Sequence, residues 1–214
     1  MPANRMQGKF ITLEGMDGAG KSTHIPAIIA QLKSAGLEVV STREPGGTTL
    51  GEQLREILLH QTMTAETETL LMFAARQQHL QEVILPALTR GAIVVSDRFT
   101  DATFAYQCGA KGVAALKVET LEAWVQGDGI NALQPDLTLL FDVPVAVSMQ
   151  RLSAARQPDK FERENEVFFE KLRSAYLARA RNNAARFSVI NADKPLEKVS
   201  LEVKAIIDKF ISNI

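Results

Sequence analysis

The clearest chemical signal in the sequence is a glycine-rich stretch that ends in lysine and two hydroxyl residues. Residues 15–23 read Gly-Met-Asp-Gly-Ala-Gly-Lys-Ser-Thr, between the apolar run 10–13 and a segment with helical periodicity. Glycines let successive backbone N–H groups converge on phosphate oxygens, and the helix that follows points its unpaired N–H groups at the same anion. Lys21 can then reach the outer phosphates, and the Ser22 hydroxyl is placed to hold Mg²⁺. The stretch therefore predicts a nucleotide-binding phosphate loop.

Two later strands are predicted to end in aspartate. The apolar runs 92–96 and 136–141 lead into Asp97 and Asp142. Because the carboxyl ends of parallel strands share one sheet edge with the phosphate loop, either carboxylate could help hold Mg²⁺ through its water shell. Asp97 is the better candidate, since Arg98 beside it supplies a phosphate-binding fork. For Asp142, an equally good interpretation is a strand-end residue that bonds loop backbone.

Several cations could neutralise the phosphates during a transfer. Phosphoryl transfer depends mainly on positioning and charge neutralisation, so a surplus of basic side chains suits it. The segment 156–163 has few apolar anchors, which fits either a mobile lid over ATP or a solvated charged loop. The candidate cations are Lys21, Arg43, Arg98, Arg151, Arg156, Lys160 and Arg163.

Two residue pairs could recognise a base or a sugar. Phe73 and Arg76 lie three apart on a predicted helix, so they share a face and could stack a base and bond its edge. The plainer interpretation places Phe73 in the core and Arg76 at the surface. Tyr106 and Gln107 could line a sugar–base pocket or cap a helix. The three histidines lack metal-ligand spacing, so we expect them to be structural or exposed.

The elements that must position these residues alternate between strand and helix. Helical periodicity separates apolar runs that predict strands at 10–13, 37–42, 92–96, 136–142 and 187–190. Pro86 is predicted to end or bend the helix over 66–88. The alternation predicts an α/β fold, a mostly parallel five-stranded sheet with helices on both faces. Without a repeat or a linker, residues 1–214 are predicted to form a single domain.

Composition narrows the functional classes. The 214 residues include 24 basic and 25 acidic residues, for a formal net charge of -1. No global field favours nucleic acid or an anionic membrane, and no apolar run approaches the length of a membrane span. The single cysteine, Cys108, and the lack of an apolar leader predict a cytoplasmic protein.

Several motifs occur together in an order that resembles thymidylate kinase. They are residues 14–23, 43–48 (Arg-Glu-Pro-Gly-Gly-Thr), 73–76 (Phe-Ala-Ala-Arg), 97–99 (Asp-Arg-Phe), 105–107 (Ala-Tyr-Gln), 135–138 (Pro-Asp-Leu-Thr), 142–144 (Asp-Val-Pro), and 161–162 (Phe-Glu) leading into 168–169. The resemblance covers nearly the whole chain. It implies a P-loop NTPase fold of the nucleoside monophosphate kinase type, a short lid at about 153–165, and transfer of the ATP γ-phosphate to dTMP with Mg²⁺.

The resemblance implies distinct groups of site residues. ATP would be bound by the loop residues Gly15, Met16, Asp17, Gly18, Ala19, Gly20, Lys21, Ser22 and Thr23. Metal would be held by Ser22 and Asp97. The catalytic residues would be Asp17, Lys21, Arg98 and Arg156. The acceptor nucleotide would be bound by Asp17, Arg43, Pro45, Phe73, Arg76, Arg98, Thr103, Tyr106 and Gln107.

Within the implied acceptor site, each part of dTMP has its own residues. Asp17 would contact the sugar 3′-hydroxyl, Arg98 and Arg43 the phosphate, and Tyr106 would crowd the 2′ position and disfavour ribonucleotides.

The implied base contacts come from a second group of residues. Phe73 would stack on thymine and Arg76 would bond its carbonyl edge. Pro45, Thr103 and Gln107 would lie beside the base.

The family divides by the location of its transition-state arginine. Some members carry it in the phosphate loop, at the position that is Gly18 here. The resemblance is therefore to the bacterial type, which supplies the arginine from the lid, and Arg156 is the candidate. Lys160 stands where the family more often has arginine and cannot make a bidentate fork. Members are commonly homodimers, so a homodimer is expected, with ATP and dTMP as partners and neither nucleic acid nor membrane.

Two other functions stay open from the residues alone. A kinase of another nucleoside or nucleotide could use the same scaffold, although Met16 and the Ser22-Thr23 pair depart from the adenylate-kinase pattern. A nucleotide-binding switch of the GTPase type would need an Asn-Lys-x-Asp guanine motif, which the sequence lacks.

Overall fold

A five-stranded parallel sheet forms the centre of the fold. The computed structural model describes residues 8–129, 132–153, 160–161 and 164–214. The strands are β1 (Lys9–Glu14), β2 (Val39–Arg43), β3 (Ile93–Asp97), β4 (Leu137–Asp142) and β5 (Phe187–Asn191). Their order across the sheet is β2-β3-β1-β4-β5, and every neighbouring pair is parallel. The predicted sheet is confirmed.

Helices connect the strands in sequence. They are α1 (Lys21–Ser34), α2 (Thr49–His60), α3 (Ala65–His79), α4 (Leu85–Thr89), α5 (Thr100–Thr103), α6 (Ala115–Gln126), α7 (Val145–Ser153), α8 (Glu166–Asn182) and α9 (Leu196–Ile211). Within the described residues, no helix combines the length and apolar character needed to cross a membrane.

Both faces of the sheet are buried. Because alternate strand residues point to opposite faces, Phe10 and Val94 join one apolar cluster with residues of α4, whereas Ile11 and Val95 join a larger one with residues of α1, α8 and α9. A strand that is buried on both faces needs an apolar residue at nearly every position. That requirement explains the continuous apolar run 93–95 in β3.

The long helix predicted over 66–88 does not end at Pro86 but contains a wider, π-helical turn before it. α3 is followed by a π-helical turn, Leu80–Ile84, and α4 then continues the same helical run. Pro86 has no N–H to donate to the carbonyl of Glu82, so the regular helical hydrogen bond cannot form there. The wider π-helical turn just before Pro86 accommodates this missing bond. A second π-helical segment, Phe104–Ala110, follows α5 directly. It carries Tyr106 and Gln107.

The lid predicted at about 153–165 lies largely outside the described residues. Arg156 and Arg163 belong to the part that the structure does not describe, whereas Lys160 and Phe161 are placed.

Candidate active site

The phosphate loop joins the carboxyl end of β1 to the first turn of α1. Gly15 and Gly18 have φ angles of 135° and 77°, which residues with a side chain rarely adopt. A Cβ on Gly15 would lie 2.4 Å from the Phe141 carbonyl oxygen, and one on Gly18 would lie 2.7 Å from that of Ser148. Both positions therefore require glycine, and the loop keeps the first N–H groups of α1 open to an anion.

Lys21 is held inside the loop that precedes it. Its Nζ donates to the carbonyl oxygens of Gly15 and Met16, each at 3.0 Å. Burial, followed by the positive charge of Arg98, lowers the pKa of Lys21 to about 8, although Asp17 opposes the shift. The ammonium can exchange a loop carbonyl for a phosphate oxygen with little movement.

Arg98 faces Asp17 across the mouth of the loop. Its Nη2 lies 2.5 Å from Asp17 Oδ1, and its Nη1 donates to the Gly15 carbonyl and to the Tyr176 hydroxyl, both at 2.9 Å. Burial favours a higher pKa for Asp17, but the charges of Arg98 and Lys21 outweigh it and hold that pKa well below its usual range. Among the described residues, Arg98 is the only non-glycine residue with a positive φ, at 73°. The guanidinium that contacts Asp17 is therefore carried by a strained backbone.

The two strand-end aspartates have different environments. Arg173 donates two hydrogen bonds to Asp142, at 2.7 and 2.9 Å, so this carboxylate is committed to an ion pair. The buried Oδ1 of Asp97 has no hydrogen-bond partner among the described residues. Asp97 pairs in register with Leu13 on β1, which places it beside the loop. An unpartnered carboxylate oxygen at this position could bind a cation, and the assignment of Mg²⁺ to Asp97 rather than Asp142 stays a prediction.

In the part of the chain that the structure describes, the potential metal ligands do not form a complete cage. Within the described residues, no group of three or more His, Cys, Asp or Glu side chains could hold a metal ion. Mg²⁺ in kinases is usually held by one or two protein groups together with substrate phosphates and water. Asp97 and the Ser22 hydroxyl fit that incomplete kind of site.

A pocket of about 580 Å³, including its open mouth, lies beyond Asp17 and Arg98. Its lining residues are Asp17, Glu44, Pro45, Arg55, Leu59, Met72, Arg76, Arg98, Phe99, Ala102, Thr103, Tyr106, Gln107 and Phe161. The structure brings together seven of the nine residues that were predicted to bind the acceptor, and Arg43 and Phe73 are the two outside the lining.

Arg76 forms the polar centre of this pocket. Its Nε donates to Glu44 Oε2 at 2.7 Å and its Nη2 to Thr103 Oγ1 at 2.9 Å. Its guanidinium carbon lies 4.7 Å from the centre of the Phe73 ring and 5.0 Å from that of Phe99. The side chain is 2% exposed, so the interpretation of Arg76 as a surface residue is wrong. The buried Nη1 has no partner among the described residues.

The two predicted residues outside the pocket lining have other contacts. Phe73 is buried with Phe104, Val113 and Val118, and its ring packs against the Arg76 guanidinium. Arg43 is 54% exposed and donates to Glu52 Oε2 at 2.8 Å. The stacking of Phe73 on a base and the reach of Arg43 to a phosphate stay predictions.

Tyr106 and Gln107 line the pocket rather than capping a helix. The Tyr106 hydroxyl donates to Asp17 Oδ2 at 2.7 Å, and Arg98 Nη2 donates to the same hydroxyl at 3.2 Å. Gln107 Nε2 donates to Glu68 Oε1 at 2.8 Å. Both side chains lie on the π-helical segment Phe104–Ala110, and such segments are frequent at functional sites.

A second pocket, also about 580 Å³ with its open mouth, lies on the other side of the loop. Its lining residues are Ala19, Gly20, Thr23, His24, Arg151, Ala192, Lys194, Leu196 and Val199. His24 is buried against Phe141, with the ring centres 5.3 Å apart, and burial lowers its pKa. One phosphate loop therefore separates two pockets, an arrangement that can pass a phosphate from a nucleotide in one to an acceptor in the other.

Sequence reasoning missed several polar residues that hold this site together. Glu44 joins Arg76 to His79, whose Nδ1 lies 2.9 Å from Glu44 Oε1. Glu14 accepts from the Phe99 N–H at 2.8 Å and from the Tyr176 hydroxyl at 3.0 Å. Burial, with the nearby charge of Asp101, raises the pKa of Glu14 to about 8. Glu44 lies inside the 43–48 motif and Glu14 begins the 14–23 motif, so both motifs were usable signals.

Comparison with known proteins extends over almost the full length of the chain. The thymidylate kinase family model matches residues 13–203. A thymidylate kinase from Methylobacillus flagellatus is 64% identical over 205 residues, 96% of this chain and 99% of that protein. Another from Cupriavidus pinatubonensis is 60% identical over 204 residues, 94% of this chain and 98% of that protein. The crystal structure of thymidylate kinase from Ehrlichia chaffeensis matches with a TM-score of 0.73 at 31% identity, over 94% of this chain and 98% of that one.

Proposed function

This chain belongs to the thymidylate kinase family, and we propose that it phosphorylates dTMP with ATP by holding the two nucleotides on opposite sides of one phosphate loop. The family model and the similar proteins confirm the family that the sequence motifs indicated. The acceptor would occupy the pocket around Arg76, and the donor would occupy the pocket around Arg151 and Lys194. The reacting phosphates would meet between Asp17 and Lys21.

The unpartnered Nη1 of Arg76 is the observation that carries the choice of base. A buried donor left without an acceptor costs about 1–3 kcal/mol, so the pocket favours a ligand that presents an acceptor there. Thymine presents the O4 carbonyl oxygen on its pairing edge, whereas cytosine presents an amino group at the same place. Arg76 therefore selects a carbonyl-bearing pyrimidine.

Arg98 would bind the acceptor phosphate, and Asp17 would bind the acceptor sugar. The planar guanidinium of Arg98 suits a bidentate contact with a phosphate. Asp17, kept ionised by Arg98 and Lys21, can accept a hydrogen bond from a sugar hydroxyl. No strong general base is needed, because the acceptor phosphate oxygen is already a nucleophile. These residues orient the acceptor and offset the repulsion between two anions.

Lys21 and the loop N–H groups would bind the donor phosphates, and Ser22 and Asp97 would hold Mg²⁺. When bound, the ion neutralises charge on the phosphate oxygens. The remaining cation, a transition-state arginine, is assigned to Arg156 of the lid. Ser148 of α7 leaves no room for a side chain at Gly18, which supports an arginine supplied from elsewhere. The loop would align the phosphates, and the lid would neutralise them.

A homodimer and a cytoplasmic location belong to the same proposal. The dimer is supported by large apolar side chains on two helices that contact each other, α3 and α6: Leu70, Leu116 and Trp124, of which Trp124 is 82% exposed. The lone cysteine, Cys108, supports a reducing compartment.

A panel of nucleoside monophosphates tests the proposed function. With ATP and Mg²⁺, ADP release should be fastest with dTMP. The value of kcat/KM for dCMP should be lower by about 5- to 150-fold, because a lost buried hydrogen bond costs about 1–3 kcal/mol. A preference for dUMP, CMP or AMP over dTMP would contradict the proposal. Tighter binding of GTP than of ATP, without turnover, would favour a nucleotide-dependent switch.

Replacing Asp97 with asparagine should raise the Mg²⁺ concentration needed for half-maximal rate by about 10- to 100-fold. The change removes the charge from the unpartnered oxygen and keeps the side-chain shape. Asp142→Asn is the matched control, because Asp142 ends the other strand beside β1 but is paired with Arg173. The proposal fails if both variants show the same Mg²⁺ dependence.

A further inference from the structure

Glu68 of α3 is a buried carboxylate directly behind the acceptor pocket. Its side chain is only 1% exposed. Its Oε1 accepts from Gln107 Nε2 and from Lys111 Nζ, each at 2.8 Å. Its Oε2 lies 2.9 Å from Lys160 Nζ and 3.0 Å from Lys111 Nζ. One carboxylate therefore faces two ammonium groups and one amide.

These neighbours keep Glu68 ionised. Burial acts to raise its pKa, but the hydrogen bonds from Lys111 and Lys160 outweigh burial and lower it. An ionised carboxylate only accepts hydrogen bonds, so the group that Gln107 turns toward it must be the NH₂. A glutamine amide has two orientations of nearly the same shape. Glu68 selects one of them.

The fixed orientation leaves the amide oxygen of Gln107 for the pocket. Gln107 lines the pocket together with Arg76. Among the hydrogen bonds of the described residues, none ends on Gln107 Oε1. The pocket thus offers Arg76 Nη1 as a donor and Gln107 Oε1 as an acceptor.

We propose that Glu68 is a positioning residue that determines base specificity, because it holds the Gln107 amide with its oxygen toward the base. The inference rests on the proposed dTMP kinase function. Thymine has an N3–H donor beside the O4 acceptor, so it matches an oxygen at Gln107 and a nitrogen at Arg76. Cytosine has an acceptor at N3 and an amino group at C4, so it mismatches both. Without Glu68, the amide of Gln107 can rotate and donate to the N3 of cytosine.

The test compares kcat/KM for dTMP, dUMP and dCMP in wild type and in Glu68→Gln. A neutral amide at position 68 can donate as well as accept, so it no longer dictates the orientation of Gln107. We expect the dTMP/dCMP ratio to fall by about 5- to 150-fold, the effect of one buried mismatch. The dTMP/dUMP ratio should not change, since both bases carry N3–H and O4. The loss with dTMP should lie in KM, because the base is remote from the phosphate that reacts.

Glu66→Gln is the matched control. Glu66 lies two residues earlier on the same helix, is 54% exposed and pairs with Lys117 at 3.3 Å. The substitution removes the same charge from α3 without touching Gln107, so both ratios should match wild type.

The double variant Glu68→Gln/Gln107→Glu separates positioning from folding. It exchanges the two side chains, keeps the net charge and restores an acceptor at position 107. We expect it to recover most of the dTMP/dCMP ratio, and it replaces the single variant if that one fails to fold in circular dichroism. Equal losses for all three nucleotides, unchanged ratios, or a double variant without dTMP preference would overturn the role of Glu68. Wild type without dTMP preference would instead overturn the proposed function.

Discussion

Replacement of Arg98 with lysine is expected to lower kcat/KM for dTMP by about 10³-fold, the upper range for removing one transition-state donor. Arg98 uses both terminal nitrogens, one toward Asp17 and one toward the Gly15 carbonyl, and a lysine ammonium cannot reproduce that fork. Lysine also carries a Cβ, so the positive φ of 73° costs the same in both proteins. The loss therefore measures the guanidinium rather than the backbone.

The measurement is steady-state ADP release with dTMP varied at saturating ATP, and then with ATP varied. The KM for dTMP should rise and kcat should fall, whereas the KM for ATP should change little. Arg173→Lys is the matched control, because Arg173 also forms an ion pair with an aspartate, Asp142, but lies outside the lining of the acceptor pocket. A loss smaller than tenfold, or an equal rise in the KM for ATP, would show that Arg98 does not bind the acceptor phosphate.

Lys21→Met is expected to lower kcat by about 10³-fold while dTMP binding in calorimetry stays near wild type. Methionine keeps the unbranched length of the buried stem and removes the charge. The loop should keep its shape, because the carbonyl of Gly15 still accepts from Arg98 and that of Met16 still accepts from the Ala19 N–H at 3.2 Å. A melting temperature near that of wild type would confirm this, and retained turnover would remove Lys21 from the mechanism.

The same lysine predicts a pH dependence. Its pKa is lowered to about 8, so the free enzyme loses the Lys21 charge as pH rises through that value. ATP binds the protonated form, and kcat/KM for ATP should therefore fall above about pH 8, since this ratio reports the free enzyme. In Lys21→Arg the fall should disappear, because a guanidinium stays protonated. A decline that persists in Lys21→Arg would assign it to another group.

The family resemblance named seven residues that line one pocket, but it did not give the environment of each side chain. Of the seven predicted residues that line one pocket, Asp17, Pro45 and Arg98 follow strand ends, which a parallel sheet collects at one edge. The other four lie on helical segments: Arg76, Thr103, Tyr106 and Gln107. Phe73 lies on the same helix face as Arg76, yet it forms the support under the guanidinium rather than part of the lining. Spacing along a helix establishes a shared face and does not establish which member of the pair meets solvent or ligand.

The sequence alone determined the phosphate loop, the parallel sheet and the family, because each depends on neighbouring residues or on a local period. Only the tertiary structure decided which strand-end aspartate is unpartnered, since Arg173 lies 31 residues beyond Asp142. It also decided the orientation of Gln107, whose partner Glu68 lies 39 residues earlier. Hydrogen bonds between distant segments form only when the helices pack on the sheet. The phosphate loop can therefore be identified from its own residues. The base specificity of the pocket depends instead on which side chains the packing of helices on the sheet brings together.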